Sequence, residues 1–238
     1  MTPRQAAISS GDTKRKFVSA LFDRIASRYD LANDIITLCS IDRWRRNALR
    51  DLDIPEGAVL LDVGTGTGKI PEYLAQHRPD LKITGIDISR EMLAIASRKN
   101  QKANFLYADA TMLPFEDESF DCVVSAFVFR NLQDRPAALK EMFRVLRPGG
   151  DVILLDTFFP RKGNLWRVPM RLWLRHIAPV LVAPFSGFSD YRYLAESILE
   201  MNDWDAVVRM FEDAGFQSVS IKALSMGTVA RIRGTKQH

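Results

Sequence analysis

The stretch Val59-Leu-Leu-Asp-Val-Gly-Thr-Gly-Thr-Gly-Lys69 most narrows what this chain of 238 residues can fold into. A short apolar run closes on Asp62. Glycines follow at alternate positions (Gly64, Gly66, Gly68), and a helical pattern begins at Ile70. That order is a buried strand turning tightly into a helix N-terminus. Glycine admits dihedrals barred to other residues and lets a ligand approach the main chain. The spacing also excludes two phosphate motifs. Counted from Gly64, the third glycine of G-x-G-x-x-G falls on Lys69, and Ile70 follows Lys69 where G-x-x-x-x-G-K-[ST] needs a hydroxyl.

Strand-like runs at 58–63, 82–87, 104–108, 120–127 and 151–157 alternate with helical patterns at 68–77, 89–99 and 135–146. Asp134 and Pro136 suit the start of the third helix, and Pro148-Gly149-Gly150 its end. Apolar strands alternating with helices imply right-handed crossovers and a parallel, doubly wound sheet. A helix at 204–213 precedes two further runs, 218–225 and 227–233, joined at Met226-Gly227 as an antiparallel hairpin. The expected fold is therefore α/β and Rossmann-like, with a mostly parallel seven-stranded sheet. Residues 1–52 read as an N-terminal helical lid with a polar, frayed start up to about residue 13. Residues 53–238 read as the Rossmann-like domain, interrupted at about 158–200 by a helical substrate insertion.

Composition removes several function classes. Net charge is +4 and the pI about 9.1, mildly basic and well short of a dedicated nucleic-acid binder. Met1 to Gly11 has no apolar core and reads as no signal peptide. No apolar stretch reaches the roughly 20 residues a spanning helix needs. Cys39 and Cys122 suit a reducing, cytoplasmic setting. His77, His176 and His238 are too scattered for a histidine metal site, so no metal is expected.

Two more strand ends carry chemistry. Asp87 closes the second strand, where a Rossmann-like sheet places a carboxylate for ribose hydroxyls. Asp109-Ala110 closes the third, where a side chain and main chain can meet an adenine edge. Three strand ends on one sheet edge converge on a nucleoside without a pyrophosphate cradle.

The loop, Asp87, Leu113-Pro-Phe115, Phe120-Asp121 and Arg144-Val-Leu-Arg-Pro-Gly-Gly150 resemble class I S-adenosylmethionine-dependent methyltransferases. Tyr29-Asp-Leu-Ala-Asn-Asp34, Phe129-Arg-Asn131, Tyr191-Arg-Tyr-Leu-Ala-Glu-Ser-Ile198 and Ala214-Gly-Phe216 are similar to the C-methyltransferases of ubiquinone and menaquinone biosynthesis. The resemblance covers residue 14 to the C-terminus. It implies S-adenosyl-L-methionine as cofactor, and a prenylated quinol as small-molecule substrate. Gly64, Gly66, Thr67 and Gly68 would face the methionine end, Asp87 the ribose, and Asp109 with Ala110 the adenine, with Asp62, Ile88 and Ala126 also cofactor-binding. Arg130 and Asn131 would be catalytic, and Tyr29 would position Arg130. Lys69 stands where the family usually carries an acid, Val128 where it carries glycine, Ala126 where it carries serine, and Ile41 and Ile232 where it carries histidines. Lys69 is expected to point to solvent, with a backbone carbonyl taking the methionine ammonium.

An aromatic ring carbon becomes a competent nucleophile when the adjacent hydroxyl loses its proton. A guanidinium, charged at any working pH, suits the resulting oxyanion and makes a poor base. Residues 165–185 interleave Trp166, Leu172, Trp173 and Leu181 with Arg167, Arg171 and Arg175, four residues apart on one expected helical face. This segment is read either as a wall for a polyprenyl tail with a peripheral contact at the inner face of the membrane, or as packing on the sheet or on a second copy in a homodimer. Two other readings stay open: methylation of another small phenolic acceptor, and a non-catalytic cofactor-binding partner of a biosynthetic complex. A nucleic-acid methyltransferase would rest on Arg43–Arg50 alone, and no nucleic-acid partner is expected.

Overall fold

The apolar runs and the glycine loop assemble as a single sheet in the computed structural model, which describes residues 11–50, 54–186, 188–201 and 203–237. Strand β1 (Val59–Val63) is central. Its Leu60 and Leu61 are fully buried, which reflects a strand covered on both faces rather than one. Burying each such side chain contributes about 1.5–3 kcal/mol. β1 pairs in parallel with β2 (Lys82–Asp87) on one side and β4 (Phe120–Ala126) on the other, and β3 (Asn104–Tyr107) extends the first edge. β5 (Leu146–Thr157) joins β4 in parallel. The hairpin β6 (Gln217–Leu224) and β7 (Val229–Thr235) closes the other edge, with β7 antiparallel to β5. The order β3-β2-β1-β4-β5-β7-β6 reverses its winding between β1 and β4. Open sheets of this kind bind ligands in the crevice beyond the strand ends at that reversal.

The crossover helices are α4 (Lys69–His77), α5 (Arg90–Lys99) and α6 (Arg135–Val145). Each starts where local chemistry dictates. Ser89 and Asp134 cap α5 and α6 by accepting the N–H groups of Met92 and Ala137. Ahead of the sheet come α1 (Gly11–Ile25), α2 (Tyr29–Ile36) and α3 (Ile41–Leu49). Between β5 and β6 lie α7 (Arg167–Leu172), α8 (Ala178–Ser186), α9 (Phe188–Glu200) and α10 (Trp204–Asp213). The two helical groups share cores. Val18, Leu21 and Ile25 of α1 pack with Tyr193 and Leu194 of α9, and Ala32 of α2 packs with Leu174, Val182 and Tyr191.

The architecture matches the expected α/β sheet, with local differences. Gly11 to Thr13 are already helical; residues 1–10, the rest of the expected frayed start, lie outside the described residues. β5 starts at Leu146, five residues before the expected 151. Its register against β4 shifts between Phe120 and Cys122, so the Pro-Gly-Gly segment is absorbed in an irregular strand start. The hairpin turn spans Ser225–Gly227, with Met226 at φ 59°. The arginine row at 167, 171 and 175 is not one solvated face. A π-helical turn, Trp173–Ile177, interrupts it and rotates Arg175 away, while the Arg167 and Arg171 guanidiniums lie 4.5 and 5.2 Å from the Phe159 ring centroid.

Candidate active site

Three glycines turn β1 into α4, and each does something different. The Gly64 and Thr65 N–H groups donate to the Ile86 carbonyl, which ties the loop to the end of β2. A side chain at Gly64 would meet Val128 Cγ2 at 2.4 Å, so its missing Cβ makes room for Val128. Gly66, at φ +55°, faces open space and donates its N–H to Asp87. Gly68, at φ +79°, would press a side chain to 2.9 Å from Ala96 Cβ. It is therefore the seat of α5 against the loop and does not line the cavity, contrary to the expected cofactor contact.

Beyond the loop lies a cavity of about 970 Å³, counting its open mouth. Asp62, Gly64, Gly66 and Thr67 line it from β1 and its loop. Asp87 and Ile88 line it from β2, Asp109 and Ala110 from the end of β3, and Ala126 and Asn131 from β4 and the turn after it. Tyr29 reaches it from α2, and Arg15 and Phe22 from α1. The Thr67 hydroxyl donates to Asp30 at 2.7 Å, and Lys99 pairs with the same carboxylate, so α2 is fastened to the loop.

The acids here are unequal. Asp62 is 1% exposed and neither carboxylate oxygen has a hydrogen-bond partner. Burial pushes it up to about 7 against the neighbouring Thr65 hydroxyl and then the pull of Arg45. An unpartnered carboxylate in a cavity calls for a cation, and the methionine ammonium of S-adenosylmethionine is one. Asp87 is pushed by burial up to about 6, although the Ser89 and Gly66 N–H groups favour its ionised form. Each of its oxygens takes one such bond, and each keeps acceptor capacity for a ribose hydroxyl. Asp109 takes Thr111 on one oxygen and Gln133 on the other, which fixes it at the far end. The residues present thus fit the cofactor from ammonium to ribose. Lys69, expected in solvent, pairs with Glu72 at 3.5 Å, yet also lines the cavity rim. With Asp62 available for the ammonium, its presence there is tolerable.

Arg130 stands apart from this cavity. It lines a second one of about 430 Å³ with Asn33, Thr157 and Tyr191, and Phe127 lines both. Its guanidinium pairs with Asp156 at 2.5 Å and donates to the Phe127 carbonyl at 2.8 Å. Its own N–H donates to the other Asp156 oxygen at 3.0 Å. Burial opposes the charge most strongly, but Asp156, Tyr29 and Tyr193 together hold the guanidinium above its ordinary value. Asp156 bonds the guanidinium directly; Tyr29, expected to position Arg130, adds an electrostatic pull on it and packs edge-on against Phe22. Asn131 accepts the Tyr193 hydroxyl at 3.2 Å, which leaves its amide N–H groups for a ligand.

Sequence reasoning missed Asp156 and Tyr193. Asp156 closes the apolar run Val152–Leu155, the same signal that marked Asp62 and Asp87. Arg45, read only as one of a basic stretch, is buried, pairs with Asp42 and lines the cofactor cavity. Arg144 of the Arg-Val-Leu-Arg-Pro-Gly-Gly segment is structural. It bonds the Leu113 and Phe115 carbonyls, Asp117 and Glu141, tying down the Leu-Pro-Phe turn.

Comparison with known proteins agrees with this geometry. A demethylmenaquinone methyltransferase of Thermus thermophilus is 40% identical over 216 residues, covering 88% of this chain and 97% of that protein. A ubiquinone/menaquinone biosynthesis C-methyltransferase of Geotalea daltonii is 35% identical over 231 residues, covering 94% and 97%. Among solved structures, a methyltransferase bound to the Trm112 activator of Haloferax volcanii superposes with a TM-score of 0.66 at 21% identity, covering 91% of this chain and 98% of that one, and shows the shared fold. Among the described residues no group of acids, histidines and cysteines could hold a metal, and no helix is long and apolar enough to cross a membrane. The expected methyltransferase, with S-adenosylmethionine as cofactor, stands. The profile described as the ubiE/COQ5 methyltransferase family matches residues 9–236, and the chain belongs to that family.

Proposed function

We propose that the chain transfers a methyl group from S-adenosylmethionine to a ring carbon of a prenylated quinol in quinone biosynthesis. The observation that carries this reading is the buried Arg130, locked by Asp156, one residue from the Asn131 that lines the cofactor cavity. When bound, the cofactor supplies an electrophilic methyl. Asp62 takes the ammonium and Asp87 the ribose. The quinol hydroxyl beside the reacting carbon gives its proton to water, since Arg130 holds its own too tightly to act as base. Arg130 stabilises the oxyanion that makes the ring carbon nucleophilic. As that carbon takes the methyl, S-adenosylhomocysteine would be released. The carbon's own proton is then lost to water, restoring the aromatic ring and leaving the oxygen to be reprotonated. One well-placed donor of this kind is worth about 3 kcal/mol, roughly a hundredfold in rate. Asn131, oriented by Tyr193, holds the substrate oxygen, and Tyr29 closes the cavity from α2. The N-terminal helices serve as a lid that excludes water, and 158–200 as the wall beside the substrate.

The tail leads toward the surface of 165–181. There Leu165, Val168, Leu172 and Val180 are exposed beside Arg161, Lys162 and Arg175. An apolar surface edged by cations suits the peripheral face of an anionic bilayer, where a tailed quinol resides. Co-sedimentation with anionic vesicles tests the contact; no binding removes it. One observation favours a second reading, a smaller untailed phenol: the Val128 methyls fill the space over Gly64. Label transfer from methyl-labelled cofactor to a panel of reduced demethyl-quinones and untailed phenols decides. Label in the tailed quinols supports the proposal, and label in phenols alone sinks it.

A further inference from the structure

Among the described residues, three buried polar atoms without any partner belong to residues that line one cavity. They are Arg130 Nε, Tyr191 Oη and Asn33 Nδ2, and all three residues line the second cavity. Tyr191 is 1% exposed and Arg130 6%. Leaving one buried donor unpaired costs about 1–3 kcal/mol, so three in one hole mark a site built for a ligand. Their chemistry is one-sided. The guanidinium and the amide nitrogen only donate, and burial pushes the Tyr191 phenol up, so its proton stays on as a third donor. The obvious acceptor nearby is already used, since Asp156 takes Arg130 through both oxygens and the Thr157 N–H as well. A protonated hydroxyl would meet mostly donors here. A deprotonated ring oxygen would satisfy all three.

We infer that the second cavity binds the deprotonated oxygen of the quinol ring, with Arg130, Tyr191 and Asn33 as its three donors. This rests on the methylation reading above and adds Tyr191 and Asn33 as the donors that hold the oxyanion beside Arg130. The remaining lining is mostly apolar, with Ile36, Ile41 and Ile198, and includes Thr157 and Thr37, whose hydroxyl donates to the Asn33 carbonyl. Phe127 lies between the two cavities and holds φ 63°, a left-handed conformation costly for a residue with a side chain. Its ring therefore sets how the ring oxygen on one side is placed against the cofactor on the other.

The test reads binding without turnover. The probe is 2-hydroxy-1,4-naphthoquinone, an acidic naphthoquinone whose coloured anion reports its own binding, titrated into the full chain loaded with S-adenosylhomocysteine. Its methyl ether, which cannot ionise, is titrated in parallel. The wild type is expected to favour the anion by tenfold or more. Tyr191→Phe and Asn33→Ala should each weaken anion binding about tenfold. They should leave the ether and S-adenosylhomocysteine affinities within about twofold, which separates a lost donor from a damaged fold. If Tyr191→Phe does not fold, Asn33→Ala alone decides. Equal affinity of the wild type for anion and ether overturns the inference, as does wild-type anion binding in both variants. If the wild type binds the anion but methylates no quinol, the methylation proposal falls and the oxygen site stands.

Discussion

Arg130 and Asp156 form a buried ion pair at the end of β5, with side chains 7% and 0% exposed. The pair is fastened twice, through the guanidinium and through the Arg130 N–H. Charge removed from water at both ends gains little net stability over apolar groups, but breaking it on one side is costly. Asp156→Asn is therefore expected to lower unfolding free energy by about 3–5 kcal/mol in urea titration. The double variant Arg130→Met/Asp156→Leu should recover most of that and remain without methyl transfer.

On the proposed reading, in which Asp62 takes the cofactor ammonium, Asp62 sets the pH range of cofactor binding. Its raised value means the folded protein holds a proton that the unfolded chain has lost. The cofactor-free protein is thus penalised as pH rises from about 4, the ordinary carboxylate value, to about 7, where Asp62 finally ionises. The ammonium needs the ionised form. Affinity for S-adenosylmethionine, measured by calorimetry, should be full above pH 7 and fall by up to about tenfold per pH unit below it. Asp62→Asn should bind more weakly at pH 8 and lose this dependence above about pH 7, below which Asp87 begins to protonate.

Lys14 is a stability liability with a pH signature. It is 3% exposed, its ammonium makes one long bond of 3.4 Å to the Arg130 carbonyl, and Arg135 already bonds that oxygen at 3.0 Å. Burial, and then Arg135, lower it from 10.5 to about 8. The charge is a penalty to the folded state below pH 8, and that penalty fades as pH rises to 10.5. Lys14→Met should raise stability at pH 7 by about 1–3 kcal/mol. The advantage should vanish near pH 10.5 in matched thermal melts.

The Gly64–Val128 contact predicts a partial rescue. Gly64→Ala places a methyl 2.4 Å from Val128 Cγ2 at a φ of +74°. It should cost the clash plus about 1–2 kcal/mol of left-handed strain. Adding Val128→Gly removes the clash and leaves the strain, so the double variant should melt between the wild type and Gly64→Ala. Equal melting of single and double variants would show that Val128 is not what Gly64 accommodates.

The centre of the sheet was legible because β1, β4 and β5 are largely buried and read as apolar runs, whereas the edge strands β3 and β6 are mostly exposed. The cofactor cavity was legible because Asp62, Asp87 and Asp109 sit at strand ends, where sequence spacing and spatial position coincide. The second cavity was not. Its donors come from α2, the turn after β4 and α9, with Asn33 and Tyr191 158 positions apart, and no local pattern announces their meeting. The arginine row failed for a different reason: spacing by four assumes an α-helix, and one π-helical turn breaks that period. Gly68 shows a third limit, because glycine needed for helix packing and glycine needed for a ligand read alike.

Mapping the methyl group in the product tests the central claim most directly. Wild type and Arg130→Ala are incubated with methyl-labelled S-adenosylmethionine and a reduced demethyl-quinone with its tail, and the products are fragmented by mass spectrometry. The account predicts label on a ring carbon with the wild type, and none with Arg130→Ala even though that variant still binds the cofactor. Label on a ring oxygen, or near-normal ring methylation by Arg130→Ala, would contradict it.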